Sequence, residues 1–189
     1  MKIIEISALR LDEYACIPIA FEVRTILDPD LSQSGLSGIH FHERPVVPYI
    51  KDYDLLGSPP TWAEEFDLKN WGVFLALKGE TPVGGAVVAW NTNDVDMLEG
   101  RRDMSVLWDI RVSPERRGQG VGKLLFEHAA AWSKTKGCIQ MKIETQNVNV
   151  NACRFYQTQG AVLGDIRRFA YQHDQRVKDE IQLNWYLAL

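Results

Sequence analysis

The spacing of apolar positions changes along the chain, and each change marks an element. Residues 2–10 read as a strand. Residues 12–27 carry Cys16, Ile17, Ile19, Ala20, Val23 and Leu27, so helix is expected there, although Pro18 interrupts any regular one. Over 28–70 turn residues dominate: Asp28-Pro29, Gly35, Gly38, Pro45, Pro48 and Gly57-Ser58-Pro59-Pro60. The aromatic side chains Phe41, Tyr49, Tyr53, Trp62 and Phe66 make this segment too apolar for a linker, and short helices folded over a cavity are expected. From residue 71 the pattern sharpens. The apolar runs 71–78 and 83–91 flank Gly79-Glu80-Thr81-Pro82, which predicts a β-hairpin with a four-residue turn. Over 104–112 strict alternation puts Met104, Val106, Trp108, Ile110 and Val112 on one face of a strand and Ser105, Leu107, Asp109 and Arg111 on the other. Val121, Leu124, Leu125, His128, Ala129 and Trp132 then recur at helical spacing, and Gly137 ends that helix. Ile139, Met141 and Ile143 alternate as a strand, 147–159 reads as a helix closed by Gly160, and strands near 161–171 and 180–188 finish the chain. Neither an internal repeat nor a low-complexity tract is present.

The link between the strand at 104–112 and the next helix carries the chemistry. It reads Arg117-Gly118-Gln119-Gly120-Val121-Gly122-Lys123. Closely spaced glycines let backbone N–H groups converge, and a helix N-terminus behind them adds unpaired donors and the positive end of its dipole. Such a loop holds a phosphate or pyrophosphate, with Arg116, Arg117 and Lys123 able to add charge. It is not a P-loop. Gly122-Lys123 is followed by Leu124 where a magnesium-binding hydroxyl is needed, and Arg117 stands in the first glycine position. Nor is the spacing Gly118, Gly120, Gly122 that of a dinucleotide fingerprint.

Composition narrows the field. With 21 Lys and Arg against 25 Asp and Glu the net charge is −4, which argues against a nucleic-acid partner. No apolar run approaches the roughly 20 residues of a membrane helix, and the first residues do not read as a signal peptide. Cys16, Cys138 and Cys153 form no CxxC pair, so a reducing cytoplasm is the expected compartment and the thiols are expected to behave as small apolar side chains. His40-x-His42-Glu43 lacks further ligands nearby, and no metal is expected.

Three motifs in order now carry a resemblance. Asp109-Ile110-Arg111-Val112-Ser113-Pro114, the loop Arg117-x-x-Gly120-x-Gly122, and Asn149-x-x-Ala152-x-x-Phe155-Tyr156 before Gly160 resemble the GNAT superfamily of N-acetyltransferases. Within it the chain is most similar to streptothricin acetyltransferases, through Tyr49-Ile50-Lys51-Asp52-Tyr53, Trp108-Asp109-Ile110, Glu144-Thr145-Gln146, Ala152-Cys153-Arg154-Phe155-Tyr156 and Trp185-Tyr186-Leu187. Arg111 stands where that family usually has a small residue. The resemblance implies an α/β fold with a central mixed, mostly antiparallel sheet flanked by helices and splayed central strands. It implies one acyl-CoA N-acyltransferase domain over 1–189, with 104–160 as the acetyl-CoA-binding core and 28–70 on the substrate side.

The implied activity is direct transfer of acetyl from acetyl-CoA to a primary amine of a small cationic molecule, with a streptothricin-like antibiotic as a candidate. A protein or peptide acetyltransferase and a non-catalytic acyl-CoA-binding module are the alternatives. An amine must be neutral to attack a thioester, yet a free alkylamine has a pKa near about 10, so a site must take a proton from nitrogen and give one to sulfur. The resemblance implies Tyr156 as the acid for the leaving thiolate, a core tyrosine being the alternative. Gly118, Gln119, Gly120, Val121, Gly122 and Lys123, with Arg117, would hold the diphosphate, and Ile110 and Val112 the pantetheine arm. Asn149 and Phe155 would complete the cofactor site, Asn149 being equally suited to cap its helix. Asp109 and Glu144, each on the polar phase of its strand, are the amine-side carboxylates, or else ion-pair partners of Arg111 and Lys142. Tyr49, Asp52 and Tyr53, with Asp54, form an aromatic and acidic cluster suited to a cationic substrate. Homodimers are the commonest soluble oligomers, and no interface is legible.

Overall fold

The computed structural model describes all residues from Met1 to Leu189. In chain order the elements are β1 (Lys2–Ile6), α1 (Leu11–Ala15), β2 (Phe21–Asp30), β3 (His40–Lys51), α2 (Trp62–Glu65), β4 (Gly72–Lys78), β5 (Thr81–Trp90), β6 (Met104–Val112), α3 (Val121–Thr135), β7 (Gln140–Gln146), α4 (Val150–Thr158), β8 (Val162–Arg167) and β9 (Gln182–Ala188). They form two compact units. One comprises Met1–Ala20, Asp52–Ile143 and Tyr186–Leu189, and the other Phe21–Lys51 and Glu144–Trp185.

In the first unit the strands run in the order β1-β4-β5-β6-β7. The pairs β1/β4, β4/β5 and β5/β6 are antiparallel, and β6/β7 is parallel. That parallel ladder runs only from Met104↔Gln140 to Leu107↔Ile143. Beyond Leu107 strand β6 continues to Val112 without a partner on that side, which is the splay expected between central strands. Helix α3 packs across β4, β5 and β6 through Val121, Leu125, Phe126 and Ala129, and Ser133 Oγ meets Ser105 Oγ at 2.8 Å. His128, on the same apolar side, packs edge-on to Phe74 with ring centres 4.7 Å apart. Leu124, expected on the buried face, is 45% exposed. A second apolar layer gathers Ile6, Tyr14, Ile17, Trp62, Trp71 and Val106. Gly85 makes room for it, since a Cβ there would lie 2.4 Å from the Tyr14 ring.

In the second unit β2 and β3 form an antiparallel ribbon from Phe21↔Lys51 to Asp30↔His40. Its register breaks where Val46, Val47 and Pro48 lie opposite Arg24, beside Pro45. Proline has no N–H to give a ladder, so a bulge is where a strand tolerates it. Asn147 ties the ribbon down. Its backbone C=O accepts from Leu27 N at 2.9 Å and its side-chain Nδ2 donates to Leu27 O at 2.9 Å. Its Oδ1 accepts from Ile181 N at 2.8 Å.

Three expectations are corrected. The helix expected at 12–27 ends at Ala15, and after Pro18 the chain becomes strand β2. Residues 28–70 do not start as short helices: the ribbon runs to Lys51 with one short turn, Ser32–Gly35, between its strands, and the other short helical turns lie within 53–65. The hairpin turn is two residues, Gly79-Glu80, because Lys78 already pairs with Thr81 and Gly79 takes φ +64°.

Candidate active site

The glycine loop joins the end of β6 to α3, as its residues predict. Gly118 and Gly120 take φ of +73° and +83°, a left-handed backbone open to glycine at little cost, and a Cβ on either would meet nothing within 4 Å. Leu124 N bonds to Gly120 O at 3.1 Å, but the N–H groups of Gly118, Gln119, Gly120, Val121, Gly122 and Lys123 have no acceptor in the protein. A row of free donors at the start of a 15-residue helix suits a diphosphate. The loop is braced from behind. Arg117 donates from Nε to Val112 O at 3.0 Å and from Nη2 to Ala20 O at 2.9 Å, and Gln119 Nε2 donates to Glu115 O at 2.8 Å. Arg117, expected as a phosphate ligand, thus holds the loop's shape. Lys123 is exposed and lies 3.8 Å from Glu127.

Strand β6 departs from strict alternation. Opposite β5 the partners step from Val88↔Leu107 to Val87↔Asp109, so Trp108 is an extra residue. This bulge reverses the phase of the residues beyond it. Asp109 and Arg111 consequently join the side of Val106, against the layer that holds Tyr14 and Ile17. There Arg111 is 3% exposed and forms a hub. Its Nε and Nη2 donate to Asp109 at 2.9 and 2.8 Å, its Nη1 and Nη2 to Asp54 at 3.0 Å each, and Nη1 also to Ile17 O at 3.1 Å. The Tyr14 hydroxyl donates to Asp109. Burial disfavours the guanidinium charge, but Asp109 and then Tyr14 and Asp54 outweigh it and raise the Arg111 pKa. Burial, then the charge of Asp109, holds the Tyr14 phenol well above its ordinary range, so it stays a donor. The carboxylate of Asp109 is therefore consumed by Arg111 and Tyr14. The other side of β6 carries Ile110 and Val112 at the end of the strand that leaves β7.

In the second unit Asn149 begins α4, its Oδ1 accepting from Ala152 N at 3.1 Å. The cap role is thus filled. On α4 the Phe155 and Tyr156 rings meet edge to face at 5.4 Å, and Tyr156 is buried. Cys153 is buried beside them, and burial pushes its thiol up to about 12, which keeps it protonated and inert. Glu144, on β7, is half-buried and held by neutral groups. Oε1 accepts from the Tyr171 hydroxyl and from Gln146 Nε2, and Oε2 from Gln182 Nε2. Tyr171 and Gln182 are not legible as site residues in the sequence, because their strand and turn lie outside every motif. Lys142, the alternative partner for Glu144, instead meets Glu99 at 2.6 Å. Tyr49 lies on β3 in this unit, whereas Asp52 and Tyr53 belong to the first. Asp52 accepts from Asp54 N at 3.0 Å, capping a helical turn. The structure contains no group of three or more His, Cys, Asp or Glu that could hold a metal. No helix is long and apolar enough to cross a membrane.

Comparison with known proteins fits this geometry. The family model of the acetyltransferase (GNAT) family matches residues 40–161. The streptothricin acetyltransferase of Escherichia coli is 30% identical over 168 residues, which is 88% of this chain and 84% of that protein. That of Streptomyces lavendulae is 34% identical over 159 residues, 81% of this chain and 77% of that protein. Among solved structures, a Bacillus anthracis str. Ames protein assigned as a streptothricin acetyltransferase, in complex with acetyl coenzyme A, superposes with a TM-score of 0.76 at 28% identity, covering 100% of this chain and 97% of that one.

Proposed function

The chain belongs to the acetyltransferase (GNAT) family, and from that premise we propose that it acetylates a primary amine of a small, cationic, streptothricin-like antibiotic. It is an N-acetyltransferase, and acetyl-CoA is its co-substrate. One observation carries the cofactor reading: the free amides of residues 118–123 at the start of α3. They fit a diphosphate, with Arg117 bracing the loop and the unpaired edge of β6 near Ile110 and Val112 offering main-chain groups to a pantetheine arm. The acceptor class is supported by similarity to streptothricin acetyltransferases over most of their length. The net charge of −4 favours a cationic small molecule over nucleic acid. Three free thiols favour a reducing cytoplasm.

Bound acetyl-CoA supplies the acetyl group as a thioester, whose C–S bond breaks as the C–N bond forms. Glu144 holds the substrate ammonium and accepts a proton from it, freeing the nitrogen lone pair. Asp109 is engaged with Arg111, so the amine-side role falls to Glu144. Tyr156 gives its proton to the departing sulfur and is reprotonated as the nitrogen sheds its second proton, one proton being released overall. Asn149 and Phe155 position α4, while Tyr49, Asp52 and Tyr53 are assigned to the acceptor.

The test is consumption of acetyl-CoA against a panel of streptothricin, aminoglycosides, polyamines, amino acids and peptide N-termini. Streptothricin is expected to give the highest kcat/KM. A peptide N-terminus as the best acceptor would overturn the proposal. Tyr156→Phe is expected to lower kcat by about a hundredfold, the scale of general acid catalysis, with CoA affinity unchanged by calorimetry. An undiminished kcat would remove Tyr156 from the chemistry.

A further inference from the structure

Glu144 differs from Asp109 and Asp54 in what holds it. Asp109 and Asp54 share a guanidinium, but Glu144 is bonded by a phenol and two amides. These come from separate segments. Gln146 is two residues on along β7, Gln182 lies on β9, and Tyr171 stands in the turns after β8. The direction of the bonds is fixed. Gln146 Nε2 donates to the Tyr171 oxygen at 2.9 Å, which leaves the Tyr171 hydrogen to point at Glu144 Oε1. On the far side Gln182 Nε2 also reaches Asn184 Oδ1 at 3.5 Å, and Asn184 Nδ2 donates to Asp165 at 2.9 Å. Glu180, ion-paired with Lys51, also acts on the Tyr171 phenol, and Asp174, ion-paired with Arg176, donates from its N–H to the Tyr171 carbonyl at 3.0 Å. Burial, then the negative charge of Glu144, raises the Tyr171 phenol above its ordinary range, so it remains a hydrogen donor across the working pH.

We propose that Tyr171 is a positioning residue for deprotonation of the acceptor amine, orienting Glu144 through the hydroxyl bond to Oε1 and so holding the plane of that carboxylate for an arriving ammonium. The proposal rests on the reading of Glu144 as the amine-side carboxylate. A donor aimed at a carboxylate favours its charged form and fixes its plane. Held by neutral groups rather than by a guanidinium, Glu144 gains most from an arriving ammonium, which neutralises it and delivers the proton in one encounter.

The experiment compares the pH dependence of kcat/KM for the unmodified enzyme, Tyr171→Phe and Glu144→Gln, using the best acceptor of the amine panel. Melting curves and CoA calorimetry check each variant. Tyr171→Phe is expected to move the acidic limb up by about one pH unit, since loss of a donor makes the carboxylate easier to protonate. It should also lower kcat by about tenfold at neutral pH, with CoA affinity unchanged. Placing 3-fluorotyrosine at 171 keeps the ring and hydroxyl but strengthens the donor, and is expected to move the same limb down. That variant decides the matter should Tyr171→Phe fold poorly. An unmoved limb in both, with Glu144→Gln still inactive, would overturn the role of Tyr171 and leave Glu144 in place. Full activity in Glu144→Gln would overturn the reading beneath it.

Discussion

Replacing Gly120 by glutamate is expected to weaken CoA binding by about a hundredfold while leaving the fold intact. The position has φ +83°, so any side chain costs about 1 kcal/mol of strain, yet a Cβ there meets nothing within 4 Å. The loss in binding has a different origin. Gly120 is the residue before the first turn of α3, and the amides of residues 118–123 are free of internal acceptors. A carboxylate at that place competes for those amides and repels the diphosphate. Forfeiting one or two charge-assisted bonds, at roughly 1.5–3 kcal/mol each, gives a loss near 3 kcal/mol, or about two powers of ten in affinity. Gly137→Glu supplies the control, with φ +79° and the same open surroundings at the other end of α3. It should cost the same strain and leave CoA affinity alone. Isothermal titration calorimetry on both variants checks the pair.

The second large effect is on stability. Arg111→Met is expected to destabilise the protein by about 3 kcal/mol or more, because it leaves Asp109 and Asp54 with a buried charge and no guanidinium. The Asp109 side chain is only 7% exposed and that of Asp54 25%, so Asp109 bears most of the loss. At this chain length such a deficit lowers Tm by roughly 6–12 °C. The double variant Arg111→Met with Asp109→Asn is expected to recover a large part of it, since no deeply buried charge is then unpaired. Thermal unfolding monitored by circular dichroism gives both values. A drop below about 1 kcal/mol would mean that water reaches the hub and screens it.

The stretch from β4 to α4 is legible in the sequence because β4 and β5, buried on both faces, read as continuous apolar runs, while α3 and α4 bury one face and keep a helical period. The ribbon of β2 and β3 is not. Most of its residues stay exposed on both faces, so no inside and outside alternate, and Pro45, Pro48 and Gly38 read as turns although two of them sit at a bulge and the third near a strand end. The glycine loop and the helix start behind it are legible in the sequence, because glycine spacing and a helix start are local properties. Arg111 shows the opposite case. Strict alternation puts Asp109 and Arg111 with Leu107, and a single bulged residue, Trp108, moves them to the other side. A bulge leaves no mark in hydrophobic periodicity when the residue inserted is itself apolar. Tyr171 and Gln182 reach Glu144 only through the packing of distant segments, and pairings of that range are set by the fold as a whole.

The most direct test of the phosphate loop tracks the amide resonances of Gly118, Gly120, Val121 and Gly122 by nitrogen-15 NMR during titration with CoA and, separately, with pantetheine. These resonances are expected to move strongly with CoA and hardly with pantetheine, which lacks the diphosphate. Equal movement with both, or none with CoA, would contradict a diphosphate held by the main chain of residues 118–123.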